Sequence, residues 1–169
     1  MPLSKNIQVG VLMGSDSDWP KIKGVAEALD EFGIGYEVNV MSAHRTPKKV
    51  AKYAESARSR GIKVMICAAG GAAHLAGVVA AHTTLPVIGI PVPTELSGGL
   101  DSLLSTVQMP GDIPVATVGV GMGGPRNAGL LAVQILATAD ASLREKLVQF
   151  RKELVRKIEA KNEKLKASL

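Results

Sequence analysis

Apolar positions along the chain switch repeatedly between two periods. Short apolar or alternating runs occur at Ile7–Met13, Tyr36–Met41, Lys63–Ala69, Pro86–Ile90 and Pro114–Val120. Runs of this length, rich in Val and Ile, read as strands. The run at Lys63–Ala69 is apolar on both faces, as a central strand of a parallel sheet is. Between the runs, apolar residues recur at spacings of three and four. Ile22, Val25, Ala26, Leu29 and Phe32 form one such face, and Val50, Tyr53, Ala54 and Ala57 another. Gly33 and Gly61 stand where these helices end, and Pro47 suits a first helical turn. Further helices are predicted from about Ala73 to Ala81, over Gly99–Met109, over Asn127–Ala137 and from about Ser142 to Lys164.

Regular strand–helix alternation predicts an α/β fold, with a parallel sheet covered by helices on both faces. No linker, repeat or low-complexity tract interrupts the pattern. One domain over residues 1–169 is expected, with a core at about 7–138 and a C-terminal helix at about 142–164. That helix carries Leu143, Leu147, Phe150, Leu154 and Ile158 on one stripe. It packs either on its own domain or on another subunit.

Composition narrows the class. With 169 residues and 46% hydrophobic residues, the chain can bury a core. It has no uncharged apolar run of membrane-spanning length, and "MPLSKNIQVG" enters the first strand without room for a signal peptide. Cys67 is the single cysteine and reads as core. A cytoplasmic protein is expected. The net charge of +5 does not argue for nucleic acid. Nearly half of the Lys and Arg follow Ala141, mixed with Glu145, Glu153, Glu159 and Glu163, and only 3% of residues are aromatic.

Ligands of open parallel sheets bind beyond the carboxyl ends of the strands. The strand-to-helix loops are "GSDSDW", "SAHRTP", "AGGAAHL", "PVPTELSGG" and "GMGGPRN". They hold His44, His74 and many glycines, whereas helix-to-strand loops such as "EFGIG" are plain. Arg45 can make a forked contact to phosphate or carboxylate. An imidazole such as that of His44 can take up and give back a proton. Gly70-Gly71 lets backbone approach a ligand. A helix opening near Ala72 would aim N–H groups at an anion, with His74 in its first turn. His82, at that helix's far end, reads as surface. "GVGMGG" fits GxGxxG, but no strand with an acidic ribose ligand follows it, so dinucleotide binding is not expected. GxxxxGK[ST], HExxH and GxSxG are all absent.

"MGSDSDW", "SAHRTP", "GGAAHL", "GLDSLLSTVQMP", "PVATV" and "NAGLLAVQILA" together resemble the N5-carboxyaminoimidazole ribonucleotide mutase family of purine biosynthesis, in order and from about Val9 to Ala137. The resemblance implies a three-layer flavodoxin-like fold with a five-stranded parallel sheet of order 2-1-3-4-5, assembled as an octamer. It implies carboxylate transfer from the exocyclic N5 of a ribonucleotide to carbon 4 of the imidazole, without metal, biotin or nucleotide cofactor. By motif position, Ser15 and Asp18 would bind substrate, with Asp18 on the ribose hydroxyls. Ser17, Ser42 and Arg45 would hold the phosphate, and His44 would be general acid and base. Gly70, Gly71, Ala72, His74 and Leu75 would line the pocket around the carboxylate. Ala76 stands where the family is expected to have proline. A related branch that carboxylates aminoimidazole ribonucleotide directly resembles "SAHKT" and "GRSN" instead. That activity, and a non-catalytic phosphoribosyl-ligand sensor, are the alternatives.

Overall fold

A computed structural model describes residues 6–169; Met1–Lys5, and with them part of the N-terminal reading, lie outside it. Five strands form one parallel sheet: β1 (Ile7–Met13), β2 (Gly35–Val40), β3 (Val64–Ala69), β4 (Val87–Pro91) and β5 (Ala116–Thr117), in the order β2-β1-β3-β4-β5. Each strand pairs in parallel with its neighbours, and helices cover both sides. This is the flavodoxin-like arrangement. Its strand order reverses at β1, between β2 and β3, so the tips of these three strands flank the crevice where such sheets bind ligands.

The helices are α1 (Trp19–Ile22), α2 (Gly24–Phe32), α3 (Pro47–Ala57), α4 (Leu75–Ala81), α5 (Leu100–Val107), α6 (Gly123–Ala137) and α7 (Ala141–Lys166). Val50, Tyr53, Ala54 and Ala57 of α3 are all buried, as their spacing predicts. They meet Leu12, Met65 and Cys67 of the sheet and Leu75, Ala76 and Val79 of α4 in one core cluster. Cys67 is buried there and its thiol is pushed up by desolvation alone, so it is core. Ala76 is buried inside α4, where a good helix former serves without the proline.

Four boundaries differ from those predicted. One helix over Ile22–Phe32 becomes α1 and α2, broken at Lys23 just before Gly24, a poor helix residue. β5 shrinks from Pro114–Val120 to two residues. It is an edge strand paired only with β4, through Ile88 and Gly89, and short edges resist further pairing. α6 starts at Gly123 rather than Asn127, so it absorbs part of the glycine loop, with Pro125 in its first turn. α4 starts at Leu75, and His74 is its N-cap residue rather than a first-turn residue. The reason is the turn before it: Ala73 N–H donates to Gly71 O at 2.8 Å and His74 N–H to Ala72 O at 2.9 Å. Those N–H groups are spent locally and do not aim at an anion.

α5 has reversed amphipathicity. Its buried residues are Ser102 and Thr106, whereas Leu100, Leu104 and Val107 are 47%, 47% and 46% exposed. Close approach to β4 explains the polar inner face. A Cβ on Gly89 would collide with the Thr106 methyl and stand 3.0 Å from Val115, so only glycine fits beneath α5.

Two compact units divide the chain, up to Val133 and from Gln134 to Leu169. The second is mainly α7, a helix about 39 Å long at 1.5 Å per residue. Asp140 caps it, accepting from Ser142 N at 2.9 Å and Leu143 N at 3.2 Å. Leu143 is buried, whereas Leu154, Val155 and Ile158 are exposed. No helix among the described residues is long and apolar enough to cross a membrane.

Candidate active site

Three strand tips build the site. At the end of β1, Gly14 N–H donates to Ala68 O at 3.1 Å, tying this tip to β3. The chain then makes one tight helical turn over Asp16–Asp18. Ser15 caps it, accepting from Ser17 N–H at 3.3 Å, and the Ser15 and Ser17 hydroxyls meet at 2.8 Å. Asp16 Oδ1 also accepts from Ser17 N–H, at 3.0 Å. Asp16 is therefore used inside the turn as a local acceptor. Asp18 is buried, at 9% exposure. Desolvation raises its pKa above the usual carboxylate value, with Asp16 adding to the shift and the Ser15 backbone and Lys21 opposing it. A carboxylate held this way gains from a ligand that donates to it.

At the end of β2, Ser42 is the hub. Its hydroxyl accepts from Arg45 N–H at 3.2 Å and from Arg45 Nε at 3.4 Å. Arg45 Nη2 reaches across to Gly14 O at 3.2 Å, so one guanidinium bridges the first two loops. Thr46 Oγ1 donates to Ser42 O and accepts from Ser42 N–H, both at 3.0 Å, closing the loop under α3.

At the end of β3, Gly70 and Gly71 turn the chain toward His74. His44 Nε2 and His74 Nδ1 lie 2.8 Å apart. Their rings are nearly perpendicular, at 80°, with centroids 4.9 Å apart. One proton lies between the two nitrogens, so one imidazole donates and the other accepts. Loops separated by thirty residues thus meet through a single bond between the two histidines.

The three tips enclose a polar cavity of about 200 Å³. All the residues singled out from the sequence line it except Ser17 and Gly71. Ser17 is exposed and its hydroxyl faces Ser15. Gly71, at φ +67°, shapes the loop from behind. Gly14, Ala43 and Ala69 also line the cavity and were not anticipated; they are small residues whose only signal is adjacency to those that were. Ser102 and Ser105 of α5, which bond to the Gly71 loop, lie in the motif "GLDSLLSTVQMP" but were given no role by it.

A larger cavity, about 700 Å³, opens at the helix-to-strand end beside Arg58, His82 and Asp112. Three of its charged groups are engaged. His82 Nδ1 lies 3.2 Å from Glu55 Oε1, and Arg58 donates to Thr84 Oγ1 at 3.0 Å. Among the described residues no three His, Cys, Asp or Glu side chains converge as a metal site would need.

Fold and site together define a flavodoxin-like α/β protein whose polar pocket joins a buried carboxylate, an arginine and a histidine pair at the sheet's switch point. The sequence model for AIR carboxylase matches residues 8–157. The chain belongs to the AIR carboxylase family. It is 56% identical over 147 residues to the N5-carboxyaminoimidazole ribonucleotide mutase of Vibrio parahaemolyticus, covering 87% of this chain and 91% of that one. The mutase of Mycobacterium tuberculosis is 54% identical over 164 residues, covering 97% and 93%. The crystal structure of PurE from Treponema denticola superposes with a TM-score of 0.85 at 30% identity, covering 94% of this chain and 98% of that one.

Proposed function

We infer that this chain is an isomerase of purine biosynthesis that converts N5-carboxyaminoimidazole ribonucleotide to 4-carboxy-5-aminoimidazole ribonucleotide. The observation that carries the reading is the hydrogen-bonded pair of His44 and His74, set in one cavity with Asp18 and Arg45. A ribonucleotide has a diol, a phosphate and a ring, and the cavity offers one kind of partner for each. Asp18 accepts from the ribose hydroxyls. Arg45, Ser42 and the Ser15–Ser17 turn bind the phosphate end. Gly70, Ala72, His74 and Leu75 surround the migrating carboxylate, with Gly71 shaping the loop behind them.

The chemistry balances with one histidine. Protonated His44 gives its proton to N5 as the N5–carboxyl bond breaks, leaving that bond's electron pair on nitrogen and releasing carbon dioxide. Carbon 4 of the electron-rich aminoimidazole then attacks carbon dioxide, forming the new carbon–carbon bond and a carboxylate. Neutral His44 removes the proton from carbon 4, which restores the aromatic ring and the starting protonation state. Holding the gas beside the ring supplies the effective concentration.

Supplying each substrate separately tests this. The carboxylated N5 substrate is expected to rearrange rapidly, while the decarboxylated ribonucleotide with bicarbonate reacts slowly. Fast product from the second mixture alone would replace the mutase with a direct carboxylase.

The homo-octamer implied by the family resemblance, and the cytoplasmic location expected from composition, are part of the same proposal. A cavity of about 200 Å³ falls below the usual range for small-molecule sites, and His44, Arg45 and His74 are exposed in the single chain. Neighbouring copies would deepen the pocket and confine carbon dioxide. The apolar outer face of α5 and the exposed residues Leu154, Val155 and Ile158 of α7 suit burial against such copies. Solution mass by light scattering is expected to correspond to eight chains; a monomer would remove this part of the reading.

A further inference from the structure

We propose that Ser105, with Ser102 behind it, positions the catalytic histidine pair by clamping the loop after β3; the proposal rests on the mutase reading for its kinetic test. Gly71 adopts φ +67°, a conformation that only glycine holds without strain, and within the loop Ala73 N–H returns to Gly71 O at 2.8 Å. α5 fixes it from outside. Ser102 Oγ accepts from Gly71 N–H at 2.9 Å and donates to Val92 O at 2.7 Å. Its hydroxyl is fully buried and both of its functions are used. Ser105 Oγ accepts from Ala73 N–H at 3.3 Å and donates to Gly71 O at 2.8 Å, sharing its one hydrogen with Asp101 O. Both polar groups of Gly71 are thus held by one face of α5, which also shares the Ala73 N–H with Gly71 O.

α5 is itself anchored at its first turn. Asp101 Oδ1 accepts from Thr94 Oγ1 at 2.6 Å and from Ser102 N–H at 2.8 Å. These bonds hold the Asp101 carboxyl below its usual range, Thr94 most of all. The chain of contacts runs from the β4–α5 loop through Asp101 to Ser102 and Ser105, then to Gly71 and Ala73, and so to His74. Neither serine lines the cavity. Their role is to keep the His74 imidazole where it meets His44 at 2.8 Å, and to keep the Gly70–Ala72 backbone where the migrating carboxylate passes. Misplacement of about 1 Å at a reacting centre costs about 100-fold in rate.

Ser105 is the better probe because it is only partly buried. In Ser105→Ala, kcat with the carboxylated N5 substrate is expected to fall about 100-fold. KM is expected to move little, since Asp18, Ser42 and Arg45 are untouched. Ser105→Thr restores the hydroxyl and is expected to recover most of the rate. Independently of activity, a crystal structure of Ser105→Ala is expected to show His44 Nε2 and His74 Nδ1 beyond hydrogen-bonding distance. An intact histidine pair in that structure overturns the clamp, even if the wild-type chain proves to have another activity. So does an unchanged kcat, or an equal loss in kcat, KM and melting temperature that Thr does not repair. Absence of mutase turnover in the wild type, with the pair broken in the variant, would instead retain the clamp and reject the assigned reaction.

Discussion

His44→Asn is expected to lose at least about 10²–10⁴-fold in kcat, the usual contribution of a positioned acid–base group, while still binding substrate. The split follows from where the bonds lie. Ribose and phosphate ends are held by Asp18, Ser42 and Arg45, whose contacts run within and between the first two loops. His44 contributes to none of them; its structural bond is to His74. Asparagine ends near the Nδ1 position and falls short of the place from which Nε2 meets His74, but the contacts of Asp18, Ser42 and Arg45 do not depend on that bond. It cannot take up and return a proton. Steady-state rates together with calorimetric binding of the product check this. Equal loss of turnover and affinity would show that His44 organises the pocket rather than carrying the proton.

Asp18→Asn is expected to weaken ribonucleotide binding and to stabilise the free chain at once. A hydrogen bond to a charged group is worth about 1.5–3 kcal/mol, so losing a charged acceptor for the ribose diol predicts a Kd raised by at least about tenfold. The stability effect has the opposite sign. Burial raises the Asp18 pKa above its ordinary value of 3.8. From pH 3.8 upward to that raised value, the folded chain keeps a proton that the unfolded chain has released, so stability falls as pH rises through the window. At neutral pH the full cost of burying the charge is present. Asparagine removes it, and the melting temperature is expected to rise at pH 7 and to change less near pH 3. Unchanged affinity would show that Asp18 does not meet the ribose.

Much of this was legible in the sequence because period and punctuation survive folding. The five runs became five strands, and the apolar positions of α3 are all buried. The loops that gather His44, Arg45, Asp18 and His74 stand out by composition alone, and those residues share one cavity. What sequence did not show arises from contact between distant segments. Nothing local announces that His44 and His74 meet. Nothing local stops β5 at Thr117, where its pairing with β4 ends. Ser102 and Ser105 read as ordinary helix residues, since hydroxyls on a leucine-rich helix are normally its wet side. The start of α4 was misplaced because "GGAAHL" looks helical until Gly71 enters the left-handed region and the turn uses up its N–H groups.

The reversed face of α5 has a consequence for how accurately the helix is set. Apolar contact is non-directional, so a helix seated on leucines can roll or slide slightly at little cost. α5 is seated through hydroxyls, and a hydrogen bond weakens steeply once its angle opens. A small roll would break the bonds to Gly71, Ala73 and Val92 together. The helix exchanges adhesion for alignment: it grips its own sheet with few apolar side chains, yet it has one rotational setting. Leu100 and Leu104 remain on the outer side, where a looser contact suffices.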